Sequence, residues 1–384
     1  MSTIDSKLST LIWDLPIRVF HWLLVLSFVL AWLSQGDDRY LDIHVFAGYL
    51  FFGLLIFRLI WGIIGSNYAK FSNLPYLKIA NYLKTLFTKQ RQHYLGHNPA
   101  GSWAVFIILG LGLIVSTTGL LTLGGEEQHG PLAGVISFEL GDNFHWWHNV
   151  IAWFMLGFIG IHILGVLGES WLHKENLTKS MFNGFKFTTI QLISVPKHSL
   201  IAIFLICLVI VGTLSYFNGY FLVTNYRPFV GPKLPDNVLW QEACGECHLA
   251  YHPSLLPARS WQKMLVEQDN HFAEDLYLEA NDIKELETFA SKNAAENTLT
   301  EVAWKNNRSI PFDESPLRIT EVDYWVVKHQ DIAIEIWQHS EVNFKGNCQA
   351  CHLDAEQGTF EDAAMHLPED NLILLKIFGL NLTD

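Results

Sequence analysis

The sequence predicts an all-α protein: a transmembrane helical bundle of four working helices plus a fifth anchor helix, followed by a small helical domain outside the membrane. Three observations point there. Five runs are apolar over the ~20 residues that a bilayer crossing needs. Residues 1–217 carry 13 Lys+Arg and 11 Asp+Glu, a balance of +2, whereas residues 218–384 carry 12 and 27, a balance of −15. Beyond residue 240 apolar residues recur at three- and four-residue steps, notably in Leu276–Ala294 and Glu321–Glu341, and no convincing alternating strand is present. The chain therefore divides into a membrane domain (1–217), a linker (218–239) with Pro228, Pro232, Pro235 and several glycines, and an acidic outer domain (240–384).

The apolar runs are Ile17–Ser34, His44–Ile64, Ser102–Leu123, His148–Leu167 and Ser199–Phe217. The first lacks a small-x-small cleavage site and is read as a retained span rather than a signal peptide. Orientation follows from the short loops. Arg58, Lys70, Lys78, Lys84, Lys89 and Arg91 precede the third run with no acidic residue among them, and Lys174, Lys179, Lys186 and Lys197, against Glu169 and Glu175, precede the fifth. The opposite loops hold Asp37, Asp38, Asp42, Glu126, Glu127, Glu139 and Asp142 against Arg39 alone. The basic loops and the N-terminus are thus expected in the cytoplasm, and everything after Phe217 outside. Asn98 as cap and Pro99 at the first helical position begin the third span. Cys207, alone in the fifth run, reads as a small buried hydrophobe.

Ionisable side chains inside spans are costly and usually functional. His21 lies near the inner end of span one and His44 at the outer end of span two. Span four carries His148 near its outer end and His162 fourteen residues later. Fourteen residues rise roughly 21 Å and leave both imidazoles within about 40° of one helix face. That spacing suits two haems stacked across the bilayer, with His44 and His148 on an outer haem and His21 and His162 on an inner one. Bis-histidine ligation leaves no open iron position, so such centres carry electrons rather than activate oxygen. His145, one turn outward, rivals His148 but falls in the interfacial aromatic belt. Arg18 and Arg58 share the haem-facing sides of their helices and can pair with propionates or snorkel to the surface. His93 and His97 lie at the inner surface, where they can relay protons.

Two copies of Cys-x-x-Cys-His, Cys244–His248 and Cys348–His352, occupy the outer domain. The pattern is the attachment signature of c-type haem, with Cys244, Cys247, Cys348 and Cys351 bonded to the porphyrin and His248 and His352 on the iron. A zinc tetrathiolate is the rival, but zinc requires no histidine after each pair. Covalent haem is assembled on the outer face of the membrane, in agreement with the loop charges. The sixth ligands are open among His252, His271, His329, His339, His366, Met264 and Met365.

The stretch Trp13-Asp14-Leu15-Pro16-Ile17-Arg18-Val19-Phe20-His21-Trp22, with His44, Gly48-Tyr49, Arg58-Leu59-Ile60-Trp61-Gly62, His97-Asn98-Pro99-Ala100-Gly101 and the His148/His162 pair, resembles the bacterial cytochrome b561 family, which includes the cytochrome b subunits of nickel–iron hydrogenases. The likeness covers about residues 10–180. It implies a four-helix haem bundle exchanging electrons with the quinone pool. Cys244–His248, Leu255–Trp261, Asp269-Asn270-His271-Phe272, Pro316–Glu321 and Lys328-His329 resemble bis-histidine dihaem cytochromes c of bacteria. That resemblance implies His271 on the first c haem and His329 on the second, with His339 the runner-up for the second.

Taken together, these readings lead to a multi-pass cytochrome of the bacterial inner membrane with two haem b and two haem c. It is expected to move electrons between quinol and a periplasmic cytochrome or redox enzyme. Reversed flow from a periplasmic dehydrogenase or hydrogenase is the first alternative, and a haem sensor or membrane anchor the second. The acidic outer domain repels nucleic acid and favours a basic partner. No Walker or dinucleotide-binding glycine pattern is present.

Overall fold

The computed structural model describes residues 8–36, 40–85, 94–188, 195–222 and 234–368. Asp37, Asp38, Arg39, Lys89, Arg91, His93, Pro228 and Pro232 lie outside the described residues. The chain forms two compact units: Met1–Gly119 with His145–Tyr226, and Leu120–Phe144 with Arg227–Asp384.

Among the described residues five helices are long and apolar enough to cross a membrane: α1 (Leu15–Ser34), α2 (Leu41–Ile64), α4 (Pro99–Gly125), α5 (Phe138–His173) and α7 (Ser199–Tyr216). Short helices α3 (Ile79–Thr85), α6 (Leu177–Asn183) and α8 (Asn218–Leu222) accompany them. The chain is an integral membrane protein. Helix α1 starts where Asp14 caps it, its Oδ1 accepting the Ile17 N–H at 3.0 Å, with Pro16 in the first turn, where no N–H is needed. The other oxygen of Asp14 accepts the Trp61 indole N–H at 3.1 Å. One fully buried carboxylate thus both begins α1 and ties it to α2. The core beneath is built from Ile17, Phe20, Phe51, Leu54, Leu55 and Met155. Cys207 is exposed on α7 rather than buried, because α7 turns most of its apolar side chains outward, where lipid replaces protein as the apolar surrounding.

Two features depart from the sequence reading. Leu8–Leu11 (β1) pairs antiparallel with Phe185–Thr188 (β2), Leu8 opposite Thr188 and Leu11 opposite Phe185. Four-residue strands are too short to leave a periodic signature. Helix α5 has 36 residues rather than the twenty of the apolar run, about 54 Å at 1.5 Å per residue. Helical propensity continues past the point where the hydropathy ends.

The second unit contains α9 (Val238–Gly245), α10 (Ala258–Val266), α11 (Ala280–Asn293), α12 (Glu301–Ser309), α13 (Asp323–His329) and α14 (Ile334–Trp337). Trp240, Leu256, Trp261, Leu265 and Leu286 form its core. The Trp261 indole N–H, buried with the ring, is shared between the carbonyls of Pro253 (2.8 Å) and Leu256 (3.1 Å). Within the helical pattern of Glu321–Glu341, the polar pair Gln330-Asp331 follows the end of α13 and precedes α14.

The segment Leu120–Phe144 packs into this unit. Phe138 is 2% exposed and lies 5.1 Å from the Trp304 ring, with the Lys305 ammonium 5.3 Å above it. The Glu139–Arg308 pair at 3.6 Å is well exposed and adds little. The backbones meet at Gly125 and Gly141, where a Cβ on Gly125 would lie 2.6 Å from the Gly141 Cα. Deeper in, the carboxyls of Glu127 and Glu361 hydrogen bond to each other, which requires a proton between them. Burial raises both above the ordinary carboxylate range, and the neighbouring charges of Glu126 and Glu301 at Glu127, and of Asp354 and Glu301 at Glu361, add to it.

A raised acid keeps its proton in the folded state after the unfolded chain has lost it. The pair therefore contributes its full stability below the usual carboxylate range and loses it progressively as pH rises above that range. The melting temperature of the second unit is expected to fall over that window in wild-type protein. Glu361→Gln, which mimics the protonated form, should flatten the fall; a wild-type curve already flat there would show that no proton is shared.

Candidate haem sites

A carbonyl oxygen only accepts, so an imidazole nitrogen bonded to one must carry the ring proton. The opposite nitrogen is then left with a free lone pair for a metal. His44 on α2 directs Nδ1 at the Ala31 carbonyl (2.9 Å). His148 on α5 directs Nδ1 at the Val115 carbonyl (2.9 Å), with the Thr118 hydroxyl at 3.3 Å. Their ring centres are 6.0 Å apart, the planes at 77°. Gly119 makes room: a Cβ there would stand 3.0 Å from His148 Cε1.

His21 on α1 and His162 on α5 lie within electrostatic reach of each other. The Nδ1 atoms of His21 and His97 and Nη1 of Arg58 are buried without a hydrogen-bond partner. Arg58 is 3% exposed, with Phe71 beneath its guanidinium at 4.5 Å. A buried guanidinium N–H without a partner is costly, and an anionic propionate would accept it. Arg18 is occupied differently, donating to the backbone oxygens of Phe182 (2.6 Å) and Asp14 (3.4 Å).

The second unit repeats the pattern of opposed rings. His248 directs Nδ1 at the Leu249 carbonyl (2.7 Å), and its ring centre is 6.3 Å from that of His271. His329, on the last turn of α13, directs Nδ1 at the Trp325 carbonyl (2.7 Å) and is stacked on the Trp325 ring at 4.1 Å and 14°. Its centre lies 6.2 Å from that of His352. Burial lowers His271 and His329, and drives His352 to about 4 with help from His329, His366 and Lys328. All three are neutral at pH 7, the form that binds metal.

Two metal–nitrogen bonds of about 2 Å, each followed by about 1.1 Å from nitrogen to ring centre, place opposed imidazole centres roughly 6.2 Å apart. The three measured separations match that figure, so the residues fit an iron between each pair. Of the remaining candidates, His366 keeps a buried Nδ1 without a hydrogen-bond partner and lies within electrostatic reach of His352; the other four are placed otherwise. His252 has both nitrogens bonded, to Ser254 Oγ and the Pro235 carbonyl. His339 accepts the Glu341 N–H, Met264 packs against the core, and Met365 is 44% exposed. Cys244, Cys247, Cys348 and Cys351 are free thiols; burial pushes Cys244 and Cys348 up to about 11. Among the described residues no three His, Cys, Asp or Glu side chains gather as a metal cluster.

Sequence reasoning missed the residues behind the imidazoles. The Ala31, Val115, Leu249 and Trp325 partners act through backbone oxygens, which carry no residue signature. Gly119 and Trp325 would have been legible only once the ring they serve was known.

An apolar bundle with opposed histidines, joined to a domain with two haem-attachment motifs, defines a membrane-bound multihaem cytochrome. Family comparison is specific on both halves. Residues 12–184 match the model of prokaryotic cytochrome b561, and residues 240–360 match that of dihaem cytochrome c. The chain belongs to the prokaryotic cytochrome b561 family through its N-terminal part and to the dihaem cytochromes c through its C-terminal part. It is 23% identical over 217 residues to a probable Ni/Fe-hydrogenase B-type cytochrome subunit of Azotobacter vinelandii, covering 48% of this chain and 90% of that one. The corresponding subunit of Escherichia coli K12 is 24% identical over 219 residues, covering 47% and 92%. The dihaem cytochrome c structure from Rhodobacter sphaeroides is 32% identical and covers 34% of this chain and all of its own, with a TM-score of 0.30. That from Shewanella baltica OS155 is 26% identical, covering 35% and 95%, with a TM-score of 0.28. Membrane electron transfer through haem b and haem c is the activity these families define.

Gly119→Leu should drive His148 off its Val115 partner. One low-spin b-type signal is expected to disappear from the electron paramagnetic resonance spectrum while both c-type signals persist. Retention of every signal would exclude His148 as a ligand in this geometry.

Proposed function

We propose that this protein carries electrons between the quinone pool and a periplasmic redox partner, using two haem b and two haem c. The observation that carries the reading is the set of three opposed imidazole pairs at 6.0, 6.2 and 6.3 Å. In it, His44 and His148 hold the outer haem b, and His21 and His162 the inner one. Cys244, Cys247, His248 and His271 hold the first haem c, and Cys348, Cys351, His352 and His329 the second. Haem supplies one-electron redox chemistry at these positions. The residues set ligation and surroundings: paired imidazoles saturate the iron, and the backbone carbonyls behind them strengthen each ligand. Arg58 neutralises a propionate of the inner group, with Arg18 closer to the surface.

Charge supports a topology in the bacterial inner membrane with the N-terminus and both basic loops cytoplasmic and the acidic domain periplasmic. A balance of −15 over residues 218–384 suits a basic soluble acceptor, whose association would weaken as salt is added. The relatives named as hydrogenase cytochrome subunits favour a second direction, in which a periplasmic oxidoreductase reduces the outer domain and quinone is the acceptor.

Purified protein mixed with a quinol analogue should show reduction of both b- and c-type absorbance. Reduction of neither, even slowly, would exclude exchange with quinol; reduction of the b bands alone would break the proposed link between the two halves.

A further inference from the structure

Both attachment motifs border one cleft of the second unit, about 760 Å³ in volume and lined by Cys247 and His248 on one side and by Gly346, Asn347 and Gln349 on the other. Tyr251 lies between them in a way that the ligation scheme does not use. Its ring is stacked on His248, centres 5.0 Å apart and planes at 27°. Its hydroxyl donates to the Gly346 carbonyl at 2.7 Å, across 95 residues of chain. The same carbonyl accepts the Cys348 N–H at 2.9 Å and lies 3.5 Å from the Cys348 sulfur. The backbone oxygen of Tyr251 is held in turn by the Trp240 indole at 3.1 Å.

We propose that Tyr251 is a positioning residue shared by the two c haems: its ring sets the rotation of the His248 imidazole, and its hydroxyl fixes the Gly346 carbonyl that orients Cys348. The proposal rests on the ligation reading above. Two facts make it specific beyond ordinary core packing. With Nδ1 of His248 bonded to its neighbour's carbonyl, rotation about the iron axis is limited by what lies on the ring face, and that is Tyr251. At the other end a Cβ on Gly346 would stand 2.7 Å from the Tyr251 hydroxyl and 2.8 Å from the Phe344 ring, so a side chain there would displace the hydroxyl. A thioether sulfur has no hydrogen to donate, so once haem is attached the carbonyl keeps two donors, the Cys348 N–H and Tyr251.

The experiment uses the full-length protein in detergent, with covalent haem counted first in wild type. Fewer than two covalent haems there would overturn the ligation reading itself. With two present, Tyr251→Phe, Tyr251→Leu and Gly346→Ala are compared by redox titration and by electron paramagnetic resonance. The largest g-value of a bis-imidazole iron reports the angle between its ligand planes. The second-haem wave is identified by its upward displacement in His329→Met. Tyr251→Phe should leave the first-haem g-value unchanged. It should shift the oxidised-to-reduced ratio of the second haem about two- to tenfold toward oxidised, because a carbonyl relieved of a donor is more negative. Gly346→Ala should give the same shift, and the double variant no more than that, since both remove one contact. Tyr251→Leu should move the first-haem g-value as well. A second-haem wave unmoved in Tyr251→Phe, additive effects in the double variant, or a first-haem g-value unmoved in Tyr251→Leu would each overturn the proposal.

Discussion

An imidazole meets an iron through one nitrogen, and whatever holds the other nitrogen decides which one and at what angle. Four of the histidines, His44, His148, His248 and His329, hand Nδ1 to a backbone carbonyl at 2.7–2.9 Å. The rest of the architecture serves that requirement. A carbonyl is free to accept a side-chain N–H where the helix loosens, or where a second lone pair is available, and packing must then hold the ring in place. Gly119 does this for His148 by having no side chain, and Trp325 does it for His329 by stacking.

The membrane imposes a second demand, that polar groups inside it be partnered. Asp14 meets it by accepting from Ile17 and Trp61 while wholly buried. Arg58 meets it only in part, since Asp14 attracts the guanidinium while its Nη1 is buried without a hydrogen-bond partner, a place where the proposed haem propionate would accept. In the second unit, burial and neighbouring carboxylates raise Glu127 and Glu361 above the ordinary carboxylate range, which favours a neutral form where acidic groups crowd together.

The bundle and the attachment motifs were legible because their signals are categorical. Apolar runs of about twenty residues have few alternative explanations, and two Cys-x-x-Cys-His patterns leave little but covalent haem. The pairing of His271 and His329 was reachable through resemblance alone, since loop closure in an irregular fold carries no period. The ends of α5, the β1–β2 pair and the break between α13 and α14 depend on local competition between backbone partners, which residue type encodes weakly. Least legible were the carbonyl partners and Tyr251, because their roles exist only relative to a ring that another part of the chain supplies.

The proposed electron path requires four irons, each gripped by two histidines. The most direct measurement is the haem content of the purified chain by its pyridine haemochrome spectrum. Two b-type and two c-type haems per polypeptide are expected. A chain with covalent haem but no extractable b-type haem would contradict the arrangement of His21, His44, His148 and His162 described above.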